Sequence, residues 1–575
     1  MPRLRSFLPV VVCFACSDDG ASGDGSSSNG GSTGVADSST TPSSTSLDTT
    51  SPSTTLADDS GGSESDDGSE SGDTDLDPCE PFGHFAVPTT MFELPVTDGE
   101  GIYYDDVQAA FPEVDWADLD RLYIPAGSYP SLLLGNLPDR DPSDPLVITN
   151  YGGQVRLAPG DPPGNYLWSM GGGSNWVITG RWDPDSQTGS EDAPGHRCGD
   201  YANARGHYGF WSDDAYAQRQ YLHMGISVGD ATDFELEYLE IERSGFAGIR
   251  LLNSREAGDP EAPMSNVRVH DNYVHDTAGE GIYFGWTGDP PSNRMIGLQV
   301  HDNRFIRTGN EALQVQDIGD GSAIHHNVIA FAAMHWRDNG LGMYQDGNAQ
   351  ISLREGNVSI DHNVFIGGAG VLVSYWSAPQ EGDGDRHVTF SDNYLADIRN
   401  LLLYFGGTSD ASSSFEFARN SIRGLDFSYD ALDPASTEPG MVFSIGGDNA
   451  APITFVDNHW EGTETLFSGG VGPTDMGNVN GPVDAIEFVD SGWPADVSVQ
   501  NLEAWVAIST LAPGMPARQY EVGERVMFGA DMYECIAANT DQPPPDHPES
   551  WMPLPDPIDD FRVAPGTTYA GIGIR

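Results

Sequence analysis

Two glutamates stand one repeat apart, each just before a short apolar strand: Glu280-Gly-Ile-Tyr-Phe and Glu311-Ala-Leu-Gln-Val. If consecutive repeats stack as strands, they share one column about 4.8 Å apart. Carboxyls that close do not both ionise cheaply, so they are expected to share a proton or to seat a cation such as Ca²⁺. Either outcome suits acid/base work at a substrate; equally, both could be turn carboxylates that cap backbone N–H groups. His335 and Arg337 lie in the polar run His-Trp-Arg-Asp-Asn. Arg337 reads as a base or carboxylate clamp and His335 as an acid, or the run is a local salt bridge in a loop. Asp317, Asp320 and Asp346 follow as possible metal or hydroxyl ligands, against the alternative of solvated turn acids. Tyr283, Trp286, Gln314, Tyr375 and Trp376 fall in or just past the same outward column and are the expected substrate contacts.

What must position these groups is a repeat. Val-His-Asp-Asn returns at 269–272 and 300–303, and relatives of it end in Asn327, Asn363, Asn393, Asn420 and Asn458. The gaps between these asparagines are 31, 24, 36, 30, 27 and 38 residues. Self-similarity at such a period marks stacked repeats. Each repeat offers three short strands and no helix-period stretch, and is too short to bury its own apolar face. Stacked in register, such repeats make a coil with continuous apolar ladders inside. His270, His301 and His325 recur once per repeat, which favours structural stacking over a site. Aligning third strands by their apolar pairs matches Ile249/Leu251, Ile282/Phe284, Leu313/Val315, Leu341/Met343 and Val371/Val373. The outward column is then Arg250, Tyr283, Gln314, Gly342 and Leu372.

Over roughly Leu122 to Asp490 the sequence resembles the right-handed parallel β-helix family, the pectate-lyase-like solenoids. The resemblance implies an all-β fold and a groove for a polymer. It does not choose among lyase, hydrolase, epimerase and non-catalytic adhesin. The expected organisation is an export segment at 1–16, a linker at 17–77, an N-terminal cap at 78–121, the β-helix at 122–500, a small β-module at 501–556 and a closing segment at 557–575. Asp560-Phe-Arg-Val resembles the closing segment of such solenoids and is expected to form their last strand. Asp115 to Asp120 could begin a short helix in the cap.

Residues 1–16 pair Arg3 and Arg5 with a short apolar run ending in Cys16. This resembles a bacterial lipobox, with Cys16 as the lipidation site, although Cys13 stands where leucine is usual. Ordinary secretion is the alternative, so the protein is expected at the outer membrane or cell surface, or free outside. The run is too short to span a bilayer, so any membrane attachment is through the lipid alone. Residues 17–77 are Ser, Thr, Gly and Asp and cannot bury enough surface to fold.

Residues 501–554 resemble the chitin-binding type 3 modules through Tyr520, Gly523, Val526, Gly529, Tyr533, Thr540, Pro545 and Trp551. The resemblance makes Tyr520, Tyr533 and Trp551 expected sugar contacts. The aromatic pair that stacks on sugar in that family is replaced here by Ala538 and Asn539.

The chain carries 26 basic and 87 acidic residues, a net charge of −61. Such a surface repels nucleic acid and anionic lipid. Every base is an arginine, so the lysine base of several β-helix lyases has no counterpart. The acid excess also disfavours a polyanionic substrate unless Ca²⁺ bridges it. Among Cys13, Cys16, Cys79, Cys198 and Cys535 no pair has metal-ligand spacing; one disulfide is possible, its partners unassigned. The expectation is a monomeric, exported β-helix protein acting on polysaccharide as hydrolase or lyase. The alternative is a non-catalytic surface protein that binds glycan or a partner.

Overall fold

The structure, a computed structural model, describes residues 88–157, 166–180, 182–183, 188–189, 206, 208–213, 224–253, 262–285, 293–338, 347–368, 371–377, 383–398, 401–405, 411–425, 441–445, 450–462, 467–469, 474–491, 502–511, 513–529, 531–555 and 559–574. Among these the chain is all-β, with one four-residue α-helix, Val107–Ala110, capped by the Asp106 side chain. The helix thus precedes the 115–120 stretch. No helix of the described residues is long and apolar enough to cross a membrane.

The strands assemble into a parallel β-helix with sheets of 23 and 14 strands. In the central coils each turn of the solenoid supplies one strand to each of three columns. The first holds Arg268–His270, Gln299–His301, Ser322–His325 and Gly356–Asp361. The second holds Tyr273–His275, Arg304–Ile306, Val328–Ala330 and Val364–Gly368. The third holds Ile249–Leu252, Ile282–Phe284, Leu313–Ile318, Ala349–Leu353 and Val371–Ser377.

Alternation along each strand sends every second side chain inward. Val269, Val300, Ile324, Ile360, Phe390, Phe417 and Phe455 therefore form one buried ladder. Phe390 and Phe417 stack at 4.8 Å. Each such side chain contributes about 1.5–3 kcal/mol by leaving water.

The corner between the first and second columns is held by asparagine. Asn272, Asn303, Asn327, Asn363, Asn393, Asn420, Asn458 and Asn478 stack coil upon coil. From Asn272 to Asn458 each Nδ2 donates to the next Oδ1 at 2.9–3.0 Å. Each also donates to a carbonyl of the preceding coil at 2.6–3.0 Å. Both amide hydrogens and both oxygen lone pairs are thus used inside the protein. The residue before each asparagine turns the corner with positive φ, as at Asp271 (54°), Asp302 (53°) and His362 (52°). Short polar side chains tolerate that conformation best.

The third column departs from the expected alignment. Leu313 and Val315 pair with Ala349 and Ile351, not with Leu341 and Met343. Ala349 then pairs with Val373. The outward column is therefore Arg250, Tyr283, Gln314 and Gln350, with the backbone of Ser374 next in register. Leu341 and Met343, in the 36-residue gap between Asn327 and Asn363, lie outside the described residues.

Residues 91–93 and 102–104 supply the first strands of the two large sheets. The tail strand Asp560–Val563 pairs antiparallel with Phe488–Asp490 in a sheet of its own. It is not the last solenoid strand, as its sequence resemblance implied. Instead Phe561, Tyr569 and Ile574 join Tyr273, Ile306, Val328, Val364 and Tyr394 in one apolar cluster on the outer side of the second column.

Asn327→Ala is expected to lower unfolding free energy by roughly 3 kcal/mol, because it strands buried donors and acceptors on two neighbouring coils. Asn478→Ala, at the half-buried end of the ladder, should cost clearly less in the same denaturant titration. Equal losses would contradict the coil-to-coil role.

Candidate functional site

The turn leading into the third column brings the two glutamates into register. Gly248 N donates to Glu280 O at 3.0 Å and Gly281 N to Glu311 O at 3.1 Å. Asn310, just before Glu311, donates from Nδ2 to Glu280 Oε1 at 3.0 Å. The turn stacks closely: Asn310 N reaches Gly279 O at 3.0 Å, and Ala333 N reaches Asn310 O at 2.9 Å. A Cβ at Gly309 would sit 2.2 Å from Ala278 O and 2.8 Å from the His335 ring, so only glycine fits there. His335, half-buried, therefore lies against the turn that carries Glu311, with its N–H on Gly309 O at 2.9 Å.

Tyr283 and Gln314 pair in register beside this turn, and both are buried. Tyr283 packs against Phe246 and Met224, so much of its ring is covered. Glu280 is 1% exposed and Glu311 7%, which makes Glu311 the more open carboxylate. The backbone of Tyr375 and Trp376 lies within the third column, in register with Ile351 and Ser352. Trp286, Asp346 and Cys16 lie outside the described residues.

Several expected residues are committed elsewhere. Arg337 forms a buried ion pair with Glu503 at 2.7 Å, and its guanidinium stacks on Trp336 at 3.9 Å. Glu503 is also held by Arg518 at 2.8 Å. Ala504 N donates to Met334 O, and Trp336 packs with Ala333, Met515 and Leu511. Arg337 therefore anchors the C-terminal module to the solenoid and is not placed as a base. Asp317 faces Arg354 at 3.6 Å, and Arg354 also binds Asp383. Asp320 instead accepts the Asn357 N–H and side-chain amide at 2.8 and 3.1 Å. Neither belongs to a group of three possible metal ligands among the described residues.

The C-terminal module has strands Leu502–Ala504, Arg525–Phe528, Asp531–Cys535 and Trp551–Pro553 in one sheet. Tyr520 and Trp551 are each 1% exposed and meet edge-to-face at 5.2 Å. With Val526 and Cys535 they are its core, so they offer no ring face to a sugar. Half-buried Tyr533 packs against that core. Cys535 is a free, buried thiol; Cys79 and Cys198 lie outside the described residues.

Sequence reading missed a buried ionic chain on the outer side of the second column. Glu240 and Glu242 lie on strand Leu239–Glu242, facing His275. Glu240 accepts the Gly206 N–H, and Glu242 meets Trp211 Nε1 at 3.2 Å and Arg243 at 3.1 Å. His275 contacts Glu240 at 3.3 Å and Asp276 at 2.7 Å. Arg307 clamps Asp276 and continues to Asp559, whose carboxylate accepts from Tyr273. The signal was the doubled Glu-x-Glu at 235–237 and 240–242 and the doubled His-Asp at 270–271 and 275–276, informative only once the coils are in register.

In this chain burial alone pulls the His275 imidazole down. Its bonds to Asp276 and Glu240, with the charges of Asp276 and Glu242, more than offset that and raise it to about 9. Burial likewise raises Asp276, but Arg307 and His275 hold it below the usual carboxylate range. Burial pushes Glu240 up.

A folded value of about 9 for His275 exceeds the unfolded value near 6.5. Its stabilisation is therefore complete below about pH 6.5 and lost as pH rises through about 9, up to roughly 3 kcal/mol. Chemical unfolding of wild type and His275→Gln across pH 6–10 should show this fall in wild type and a flatter profile in the variant. Parallel profiles would contradict the assignment.

Residues 220–395 match the family model described as right handed beta helix region, which gives the solenoid its hand. No curated protein matches the sequence. Among solved structures, an alginate lyase from Paenibacillus sp. str. FPU-7 is 13% identical, covering 66% of this chain and 99% of that one, with TM-score 0.33. Pectate lyase Pel9A is 9% identical over 75% of this chain and 92% of that one, with TM-score 0.32. PfbA, a surface adhesin of Streptococcus pneumoniae, is 12% identical over 66% and 93%, with TM-score 0.31. The described chain is an all-β solenoid, a right-handed parallel β-helix with a small β-module near its C-terminus.

Proposed function

We propose that this protein is an exported β-helix enzyme acting on a polysaccharide, as a glycoside hydrolase or a polysaccharide lyase. The observation that carries this reading is the register of Glu280 and Glu311 on successive coils, with the Asn310 amide on Glu280 Oε1. Glu311, the more open of the two, meets the glycosidic linkage, and Glu280 behind it shares the proton. His335 sits beside the same turn as a second proton carrier. Gln314 and Tyr283, beside the same turn, border the proposed polymer groove, with Trp286, Tyr375 and Trp376 as its proposed sugar platforms. The protein is held at the cell surface through a lipid on Cys16, with residues 17–77 as tether; Cys16→Ser should move it from the membrane to the soluble fraction.

The near-complete burial of Glu280 favours a second reading, a non-catalytic surface protein that binds glycan along the same groove. One experiment separates the two. The full chain is incubated with neutral and uronate-containing polysaccharides, with and without Ca²⁺, following new reducing ends and unsaturated uronate absorbance. Reducing ends alone indicate hydrolysis; both signals indicate elimination. Glu311→Gln should slow turnover by about 100-fold or more while polymer binding persists. Turnover that survives in both Glu280→Gln and Glu311→Gln would overturn the assignment, and binding without turnover on every polymer would favour the second reading.

A further inference from the structure

Away from that groove, a second set of ligating groups lies on the outer side of the first column. Glu235 and Glu237 alternate on strand Thr232–Glu237, so both carboxylates leave the same side of the sheet. The adjacent strand Arg268–His270 sets His270 opposite Glu237 and Arg268 opposite Glu235. One ligand atom from each of Glu235, Glu237 and His270 lies within 4.8 Å of the others. His270 Nε2 is 2.7 Å from Glu235 Oε1 and 3.9 Å from Glu237 Oε2.

The other imidazole nitrogen explains the aim of the ring. His270 Nδ1 lies 2.8 Å from Asp271 Oδ2. A carboxylate there accepts from Nδ1–H and leaves Nε2 turned toward Glu235 and Glu237, where it donates to Glu235 Oε1 and where a cation would replace that proton. That is the orienting arrangement found behind metal-bound histidines. Three carboxylates, from Glu235, Glu237 and Asp271, thus face one imidazole. Glu237 and His270 are buried, while Glu235 is half-buried and gives an ion a way in from solvent.

Two neighbouring arrangements sharpen the reading. The same pattern recurs at Glu240, Glu242 and His275, but there Gly206 N–H, Trp211 and Arg243 occupy the carboxylates. On the next coil His301 stacks on His270 at 4.6 Å and has its own orienting Asp302 at 2.9 Å. Its neighbours on the preceding strand are Arg268 and His270 in place of Glu235 and Glu237. Among the described residues of the first column, two glutamates and a histidine come together at Glu235, Glu237 and His270 alone.

We propose that Glu235, Glu237 and His270, oriented by Asp271, form a binding site for one first-row divalent cation of the Zn²⁺ class. An imidazole in the set selects such ions over Ca²⁺ and Mg²⁺, which prefer all-oxygen sites. Three protein ligands leave a coordination position open to water or a ligand oxygen.

The test uses the full chain, stripped with chelator and titrated calorimetrically with Zn²⁺ and separately with Ca²⁺. Co²⁺ is added as a spectroscopic reporter of imidazole ligation. The expected result is one Zn²⁺ site, no comparable Ca²⁺ site, and a Co²⁺ d–d spectrum abolished in His270→Gln. Glu235→Gln, at a half-buried position, should weaken Zn²⁺ binding at least tenfold. Asp271→Asn should weaken it about 10- to 100-fold, and His301→Gln should leave it unchanged. Metal-free circular dichroism and melting check that each variant is folded. Absence of a Zn²⁺ site, or an unchanged affinity in folded Glu235→Gln, would overturn the proposal.

Discussion

The asparagine stack is the interaction on which the rest of the structure depends. Its corners lie deep in the wall, where backbone N–H and C=O groups have no access to water and must be paired within the protein. Each asparagine satisfies its own amide and a carbonyl of the coil before it. A slip of one residue would break these bonds and turn every inward side chain outward. Register fixed at this corner propagates to the other two columns, and so to the stacked turns where Asn310 meets Glu280.

A solenoid wall has an outside as well as an inside, and this chain uses its three outer faces differently. The second column is covered: apolar residues of the C-terminal tail pack on it, and Asp559 reaches Arg304, Arg307 and Tyr273. With arginine as its sole cationic side chain apart from histidine, the protein can clamp carboxylates through two nitrogens at once. It does so between Arg307 and Asp276, and between Arg243 and Asp213. These pairs tie successive coils together in a chain whose net charge of −61 opposes compaction. The third column carries the two glutamates, and the first carries stacked histidines with the Glu235–Glu237–His270 set.

Much of the fold is legible in the sequence because one structural requirement recurs with one residue type. The spacing from Asn272 to Asn458 counts coils directly. The ladder runs one coil further, to Asn478, where the flanking strand Val479–Asn480 is too short to show alternation. The third-column alignment fails at Leu341 because Leu341 and Met343 repeat the apolar spacing of a strand, while the observed partner of Leu313, Ala349, is less apolar. The candidate site was legible only where it depended on register. Glu280 and Glu311 follow from the repeat, whereas the partner of Arg337 lies 166 residues away on another module. Tyr520 and Trp551 illustrate the same limit: an aromatic residue reads alike in a core and on a binding face until its neighbours are known.

The central claim is that one continuous amide ladder couples the coils into a cooperative wall, and hydrogen exchange of the full chain tests it most directly. The account predicts that the backbone N–H groups of Asn303, Asn327, Asn363 and Asn393, each bonded to the next asparagine's Oδ1, exchange slowest and with closely similar protection. Protection that differs widely from one of these coils to the next, or that is no greater than in exposed turns, would contradict it.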